Sequence, residues 1–164
     1  MTLRRASAQD APQLAALAQW VWLDSYASGG VEPRFLPCLA ESFTPAAFER
    51  AIADRQQALW LVEEGAALQG FAQLQQGAPA PTACDARVEL VRLYVAPPCT
   101  GRGLGAQLLQ AARNTWPGEG LWLSVWVGNE GALRFYAREG GRLVGQTQFM
   151  LDGQAIANHV IAFP

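Results

Sequence analysis

The chain is 164 residues long, 51% hydrophobic and 16% charged, which suits a single domain spanning 1–164 with its own core and excludes a disordered polymer. Twelve arginines against fourteen acidic residues leave a net charge of -2, too little positive charge to cover nucleic-acid phosphates, so no nucleic-acid partner is expected. With no lysine and one histidine, His159, the composition removes Schiff-base chemistry and a lysine-dependent phosphate loop, and a zinc site would have to be made from one His, scattered Cys and carboxylates; no metal is expected.

In chain order, Thr2 to Ala6 reads as a short strand, and Asp10 followed by Pro12 opens a helix through Leu14, Leu17, Trp20, Val21 and Leu23. Ser28-Gly29-Gly30 breaks it. Val31 to Glu41 holds two prolines around a short helix, and Thr44 with Pro45 caps the next helix, through Phe48 and Ile52. Ala58 to Val62, a turn at Glu64-Gly65 and Leu68 to Gln75 predict a hairpin, although Phe71 and Leu74 do not alternate cleanly. Gly77 to Asp85, rich in Gly, Pro and Ala, is a loop.

The second half reads as a strand, Arg87 to Val95, a glycine-rich turn, and a helix from Leu104 to about Trp116 that Pro117-Gly118 stops. Leu121 to Val127 is a strand, Glu130 to Glu139 a helix ended by Gly140-Gly141, and Arg142 to Met150 and Ala157 to Phe163 are strands around a turn at Asp152-Gly153. The order is α+β with a βαβ-like centre. The three cysteines, Cys38, Cys84 and Cys99, form no C-x-x-C pair and are expected to be free thiols. No signal-peptide pattern and no run of about 18 apolar residues occurs, so no membrane partner is expected and the cytoplasm is the default address.

Gly101-Arg102-Gly103-Leu104-Gly105 follows a strand and opens a helix. Backbone N–H groups and the positive helix end then converge on one spot, an arrangement suited to an anion, and glycine lets the backbone approach an oxygen-rich ligand closely. The same glycines also suit a plain tight turn. Gly101-x-Gly103-x-x-Ala106 further fits the dinucleotide fingerprint of a Rossmann unit, yet only residues 106 to 164 follow it, and no acidic residue stands at the ribose-binding spacing.

A second motif separates these readings: Asn129-x-x-Ala132-x-x-Phe135-Tyr136 after the Leu121 to Val127 strand, with Val88-Glu89-Leu90-Val91-Arg92-Leu93-Tyr94-Val95 before the glycines. From about Glu89 to Gly140 the combination resembles the GNAT acetyltransferase superfamily. The resemblance implies a three-layer α/β sandwich with a mixed central sheet, splayed central strands and about four helices. It also implies acetyl-CoA as cosubstrate, transfer of its acetyl group to a primary amine of a small molecule or a peptide, and a possible homodimer. Leu93, Tyr94 and Val95 would offer main-chain groups to the pantetheine arm. Thr100, Gly101, Arg102, Gly103, Leu104, Gly105 and Ala106 would hold the pyrophosphate, and Asn129 would reach the cofactor. The sequence departs from the family at Thr100, where Gln or Arg is usual, and at Gly141, where an aromatic often stands.

Each residue also has a plainer reading. Leu93 and Val95 are ordinary core-strand residues, and Asn129 suits a helix cap. Tyr136, the catalytic acid in the family reading, has the composition of an amphipathic core tyrosine, although its phenol is protonated at neutral pH and able to supply a leaving thiolate. Glu89 shares parity with Val91, Leu93 and Val95 and stands where a branch of the family places a catalytic base; paired with Arg87 or Arg92 it is a strand-start carboxylate. Asp24, Tyr26 and Trp126 are acceptor-binding candidates, with Trp20, Trp22 and Phe35 as further wall residues and Glu32 and Asp152 as further acids. The lack of a basic cluster favours a cationic or neutral amine, and the early helix, Ser42-Phe43-Thr44 and the Leu121 to Trp126 strand resemble the polyamine-acetyltransferase-like branch. The reading from a different class is a non-catalytic acyl-CoA-binding sensor or interaction module.

Overall fold

The computed structural model describes residues 1–164. Seven strands, β1 (Thr2–Arg5), β2 (Gln57–Glu64), β3 (Ala67–Gln76), β4 (Val88–Val95), β5 (Leu121–Trp126), β6 (Arg142–Leu151) and β7 (Gln154–Phe163), form one sheet in the order β1-β2-β3-β4-β5-β7-β6. Five α-helices accompany them: α1 (Ala11–Tyr26), α2 (Leu36–Ser42), α3 (Pro45–Ala53), α4 (Leu104–Arg113) and α5 (Glu130–Arg138). No helix is long and apolar enough to cross a membrane. The chain divides into two compact units, Met1–Leu74 with Arg92–Ala112 and Gln75–Val91 with Arg113–Pro164.

In the first unit, Pro12 lies in the first turn of α1, the helix runs to Tyr26, and Trp22 is buried on the apolar stripe of Leu14 and Leu17. Thr44 caps α3 as its sequence implies, its hydroxyl accepting from Ala47 N at 3.1 Å. The proline-bearing segment before it folds as a 3-10 turn, Pro33–Phe35, and the short α2. Phe71 and Leu74 fail to alternate because β3 is buried on both faces from Gln69 to Leu74.

Asp10 ties β1 to α1. Arg4 clamps its two oxygens at 2.8 and 2.9 Å, Ser7 N donates at 2.7 Å, and the Ser7 hydroxyl lies 3.0 Å away. The Arg4 hydrogen bonds, helped by Ser7 and opposed by burial, hold the Asp10 carboxyl well below the usual carboxylate range. A folded value below the unfolded one, about 3.9, means the bond stabilises the protein fully above that value and is lost as pH falls through the folded one. Asp10→Asn is expected to cost about 1–2 kcal/mol at pH 7, the lower range reflecting a partly exposed guanidinium. Urea unfolding of both proteins at pH 7 and at successive acid pH values checks this: the gap should shrink below about pH 4.

In the second unit, β5 pairs antiparallel with β7 along all of Leu121–Trp126, and β7 pairs with β6 out to Leu151↔Gln154. The strand β7 therefore begins three residues earlier than Ala157. Asp152 and Gly153 both take positive φ, 49° and 75°, and that two-residue turn matches strand twist well enough to zip the hairpin to its tip.

Candidate active site

In the first unit, β4 ends at Val95, a 3-10 turn Pro97–Cys99 follows, and the glycine segment leads into α4. Gly101 and Gly103 adopt φ of 75° and 79°, a region that disfavours every other residue. A Cβ at either position would meet nothing within 4 Å, so conformation, not crowding, selects glycine, and the turn borders open space. The first helical bond is Gln107 N to Gly103 O, 3.2 Å. The N–H groups of Leu104, Gly105 and Ala106 thus have no acceptor within the helix and suit an oxygen-rich anion. The Thr100 hydroxyl donates to Pro97 O at 3.0 Å and serves its own turn, while Arg102 lies 3.4 Å from Glu64 on the surface.

The segment before the turn is held from below. The Tyr94 ring packs edge-on against Phe71 and Phe43, centroids 5.5 and 6.4 Å apart, and burial pushes its phenol up to about 12. Its side chain belongs to the core, which leaves its main chain as the only part for a ligand. Beneath it, Gly70 lets three elements meet: a Cβ there would lie 2.8 Å from Tyr94 O and 3.2 Å from Leu108 Cδ1. Cys99 is a turn residue packed against the same core.

In the second unit, β4 and β5 pair in parallel at Val88↔Leu121 and Glu89↔Trp122, and the pairing stops there: Leu90 and Leu123, next in register, are not partners. Glu89 is half-buried at the last paired position. Asn129 caps α5, its side-chain oxygen accepting from Ala132 N at 3.1 Å. Trp126 lays its ring where a Cβ of Gly128 would come within 2.5 Å, yet is 39% exposed. Tyr136 on α5 is buried and stacks edge-on with Phe135 and Phe163. Gly141, the other departure from the family, has a packing cause: a Cβ would sit 2.7 Å from Ile161 and 2.9 Å from Phe163, so no aromatic fits.

The family model "Acetyltransferase (GNAT) family" matches residues 14–150, a span that includes both half-motifs. The chain belongs to the GNAT acetyltransferase family. Membership makes it an acetyl-CoA-dependent N-acetyltransferase and accounts for the mixed sheet whose β4 and β5 part after two positions. An uncharacterized N-acetyltransferase of Mycobacterium tuberculosis is 29% identical over 156 residues, 93% of this chain and 96% of that one. Among solved structures, PaiA N-acetyltransferase from Thermoplasma acidophilum in complex with coenzyme A superposes with a TM-score of 0.72 at 22% identity, covering 96% of both chains. Arabidopsis thaliana NAA60 in complex with a bisubstrate analogue gives 0.73 at 16% identity, covering 99% of this chain and 96% of that one. These two likenesses establish the fold.

The acceptor candidates of each unit differ in burial. Trp22 and Phe35 are core residues, 6% and 2% exposed, with ring centroids 5.2 Å apart, so neither forms a wall: helical spacing here signals packing. Tyr26 and Trp20 remain exposed, and Asp24 lies on the surface in the last turn of α1. Glu32 pairs with Arg34 at 2.8 Å, and Asp152 sits in the hairpin turn. Sequence reasoning missed a polar cavity of about 320 Å³ in the first unit, where Arg50 and Arg92 line one space 42 positions apart in the chain. The available signal was Arg92 itself, a charge inside the apolar run Val88 to Val95.

Proposed function

We propose that this acetyltransferase passes the acetyl group of acetyl-CoA directly to a primary amine. The observation that carries it is the parallel ladder of β4 and β5 that ends after Glu89↔Trp122, joined in sequence to a glycine turn with unpaired helical N–H groups. In this reading the main chain of Leu93, Tyr94 and Val95 receives the pantetheine arm as a neighbouring strand would. The pyrophosphate rests on N–H groups of the Gly101 to Ala106 segment, with Arg102 as a nearby charge. Thr100, its hydroxyl committed to Pro97, contributes main chain only, and Asn129, its oxygen committed to the α5 cap, has its amide N–H groups for the cofactor.

Bound acetyl-CoA supplies an activated acetyl thioester. Glu89 takes the proton that the attacking amine must lose as its C–N bond forms, directly or through one water. Tyr136 donates its phenolic proton to the sulfur as the C–S bond breaks, so the departing group leaves as a neutral thiol. Trp126, Tyr26 and Asp24 are proposed as acceptor contacts.

A thiol-release assay with acetyl-CoA and a panel of amines tests the whole reading; thiol release that does not depend on any amine, or no CoA binding by calorimetry, defeats it. Glu89→Gln is expected to lower turnover chiefly at low pH, where the amine most needs help to shed its proton, and to move the rising limb of the pH–rate profile to higher pH. An unchanged profile removes Glu89 from the mechanism.

A further inference from the structure

We propose that the cavity beside α3 seats a carboxylate of the acceptor, so that this enzyme acetylates amines bearing an acid group, amino acids and their like, in preference to polyamines. The inference rests on the acetyltransferase reading and names its substrate class. The cavity, about 320 Å³ and wholly within the first unit, is lined by Ser42, Arg50, Asp54, Gln57, Gln73 and Arg92 among others. That volume lies at the small end of ligand pockets, suited to a compact molecule.

Its polar side chains form one chain of hydrogen bonds. Arg92 Nη1 donates to Gln73 Oε1 at 2.6 Å, Gln73 Nε2 to Gln57 Oε1 at 2.9 Å, and Gln57 Nε2 to Asp54 Oδ2 at 3.1 Å. The direction is forced, because a guanidinium only donates and a carboxylate only accepts. Gln73, 7% exposed, is thereby satisfied at both ends and pins the half-buried Arg92 head, which also lies 5.1 Å above the Phe43 ring.

The chain leaves the charge uncompensated. No carboxylate lies within 4 Å of either Arg92 or Arg50. Asp54 is engaged locally, its other oxygen accepting from Gln56 N at 2.9 Å. The lining thus carries two guanidinium groups against one occupied carboxylate. Besides the N–H groups engaged by Gln73 and by the Tyr94 hydroxyl, the Arg92 guanidinium that lines this polar space has further donors, a set complementary to a planar carboxylate, which a guanidinium binds in a fork. Arg92 directly precedes Leu93, the first residue of the proposed pantetheine segment, so an acid group held there anchors the acceptor beside that arm.

The test compares amino acids with their own amides, which share the amine and lack the charge, and with spermidine. For the best amino acid, kcat/KM is expected to exceed that of its amide at least tenfold. Arg92→Gln should raise KM for the acid about tenfold or more, bring acid and amide together, and leave the Kd for CoA unchanged by calorimetry. Arg50→Gln, on an exposed helical position, should act in the same direction more weakly. Equal or better use of the amide or of spermidine overturns the inference while the acetyltransferase reading stands. So does an acid-to-amide ratio unmoved by both substitutions. Loss of CoA binding and of all thiol release overturns the underlying reading instead. In that case calorimetry of acetate and phosphate still decides the cavity: acetate binding weakened by Arg50→Gln supports the assignment, whereas no binding, or preference for phosphate, ends it.

Discussion

Tyr136→Phe is expected to lower kcat for acetyl transfer by about 10²–10⁴-fold, the span of a lost general acid, while the Kd for CoA stays within about twofold. That loss corresponds to about 3–5.5 kcal/mol of barrier. The substitution removes one oxygen and keeps the ring that stacks on Phe135 and Phe163, so the buried packing of α5 survives. A melting temperature close to that of the wild type, measured with the steady-state rates, separates chemistry from folding. Full activity in the variant would show that the departing thiolate is protonated by water or another group, and would return Tyr136 to the role of a core tyrosine.

The second large effect is expected at Gly70. A methyl group there would stand 2.8 Å from Tyr94 O, 3.2 Å from Leu108 Cδ1 and 3.3 Å from Val62 Cγ1. The two side chains can yield by a rotamer change, but the carbonyl moves only if β4 moves. Gly70→Ala is therefore expected to destabilise by about 1–3 kcal/mol, as overpacking does, read as a lower urea midpoint. Because the displaced carbonyl lies in the stretch proposed for the pantetheine arm, CoA affinity should fall as well, measured by calorimetry on fully folded protein. Lost stability with an unchanged Kd would place the pantetheine contact elsewhere.

Much of the architecture was readable along the chain wherever an element is decided by near neighbours. Thr44 with Pro45, Gly101 and Gly103, Asn129 before Glu130, and Asp152-Gly153 each act within three or four residues, through a cap or a positive φ, and each stands where its pattern placed it. Element ends were less readable. The helix α4 stops at Arg113 instead of Trp116, and β7 starts at Gln154 because its ladder with β6 continues to the turn. The irregular pattern of β3 has the same origin, since burial on both faces erases the period on which strand reading depends.

The residues alone determined the family, through a glycine turn and an Asn-x-x-Ala-x-x-Phe-Tyr helix whose spacing is local and therefore visible in one dimension. Only the tertiary structure decided which aromatics are core and which polar groups share a space. Trp22 and Phe35 disappear into packing, whereas Arg50 and Arg92, far apart in the chain and unremarkable singly, line one cavity through a hydrogen-bonded chain that no spacing rule encodes. Charge complementarity depends on distance through space, and folding sets that distance.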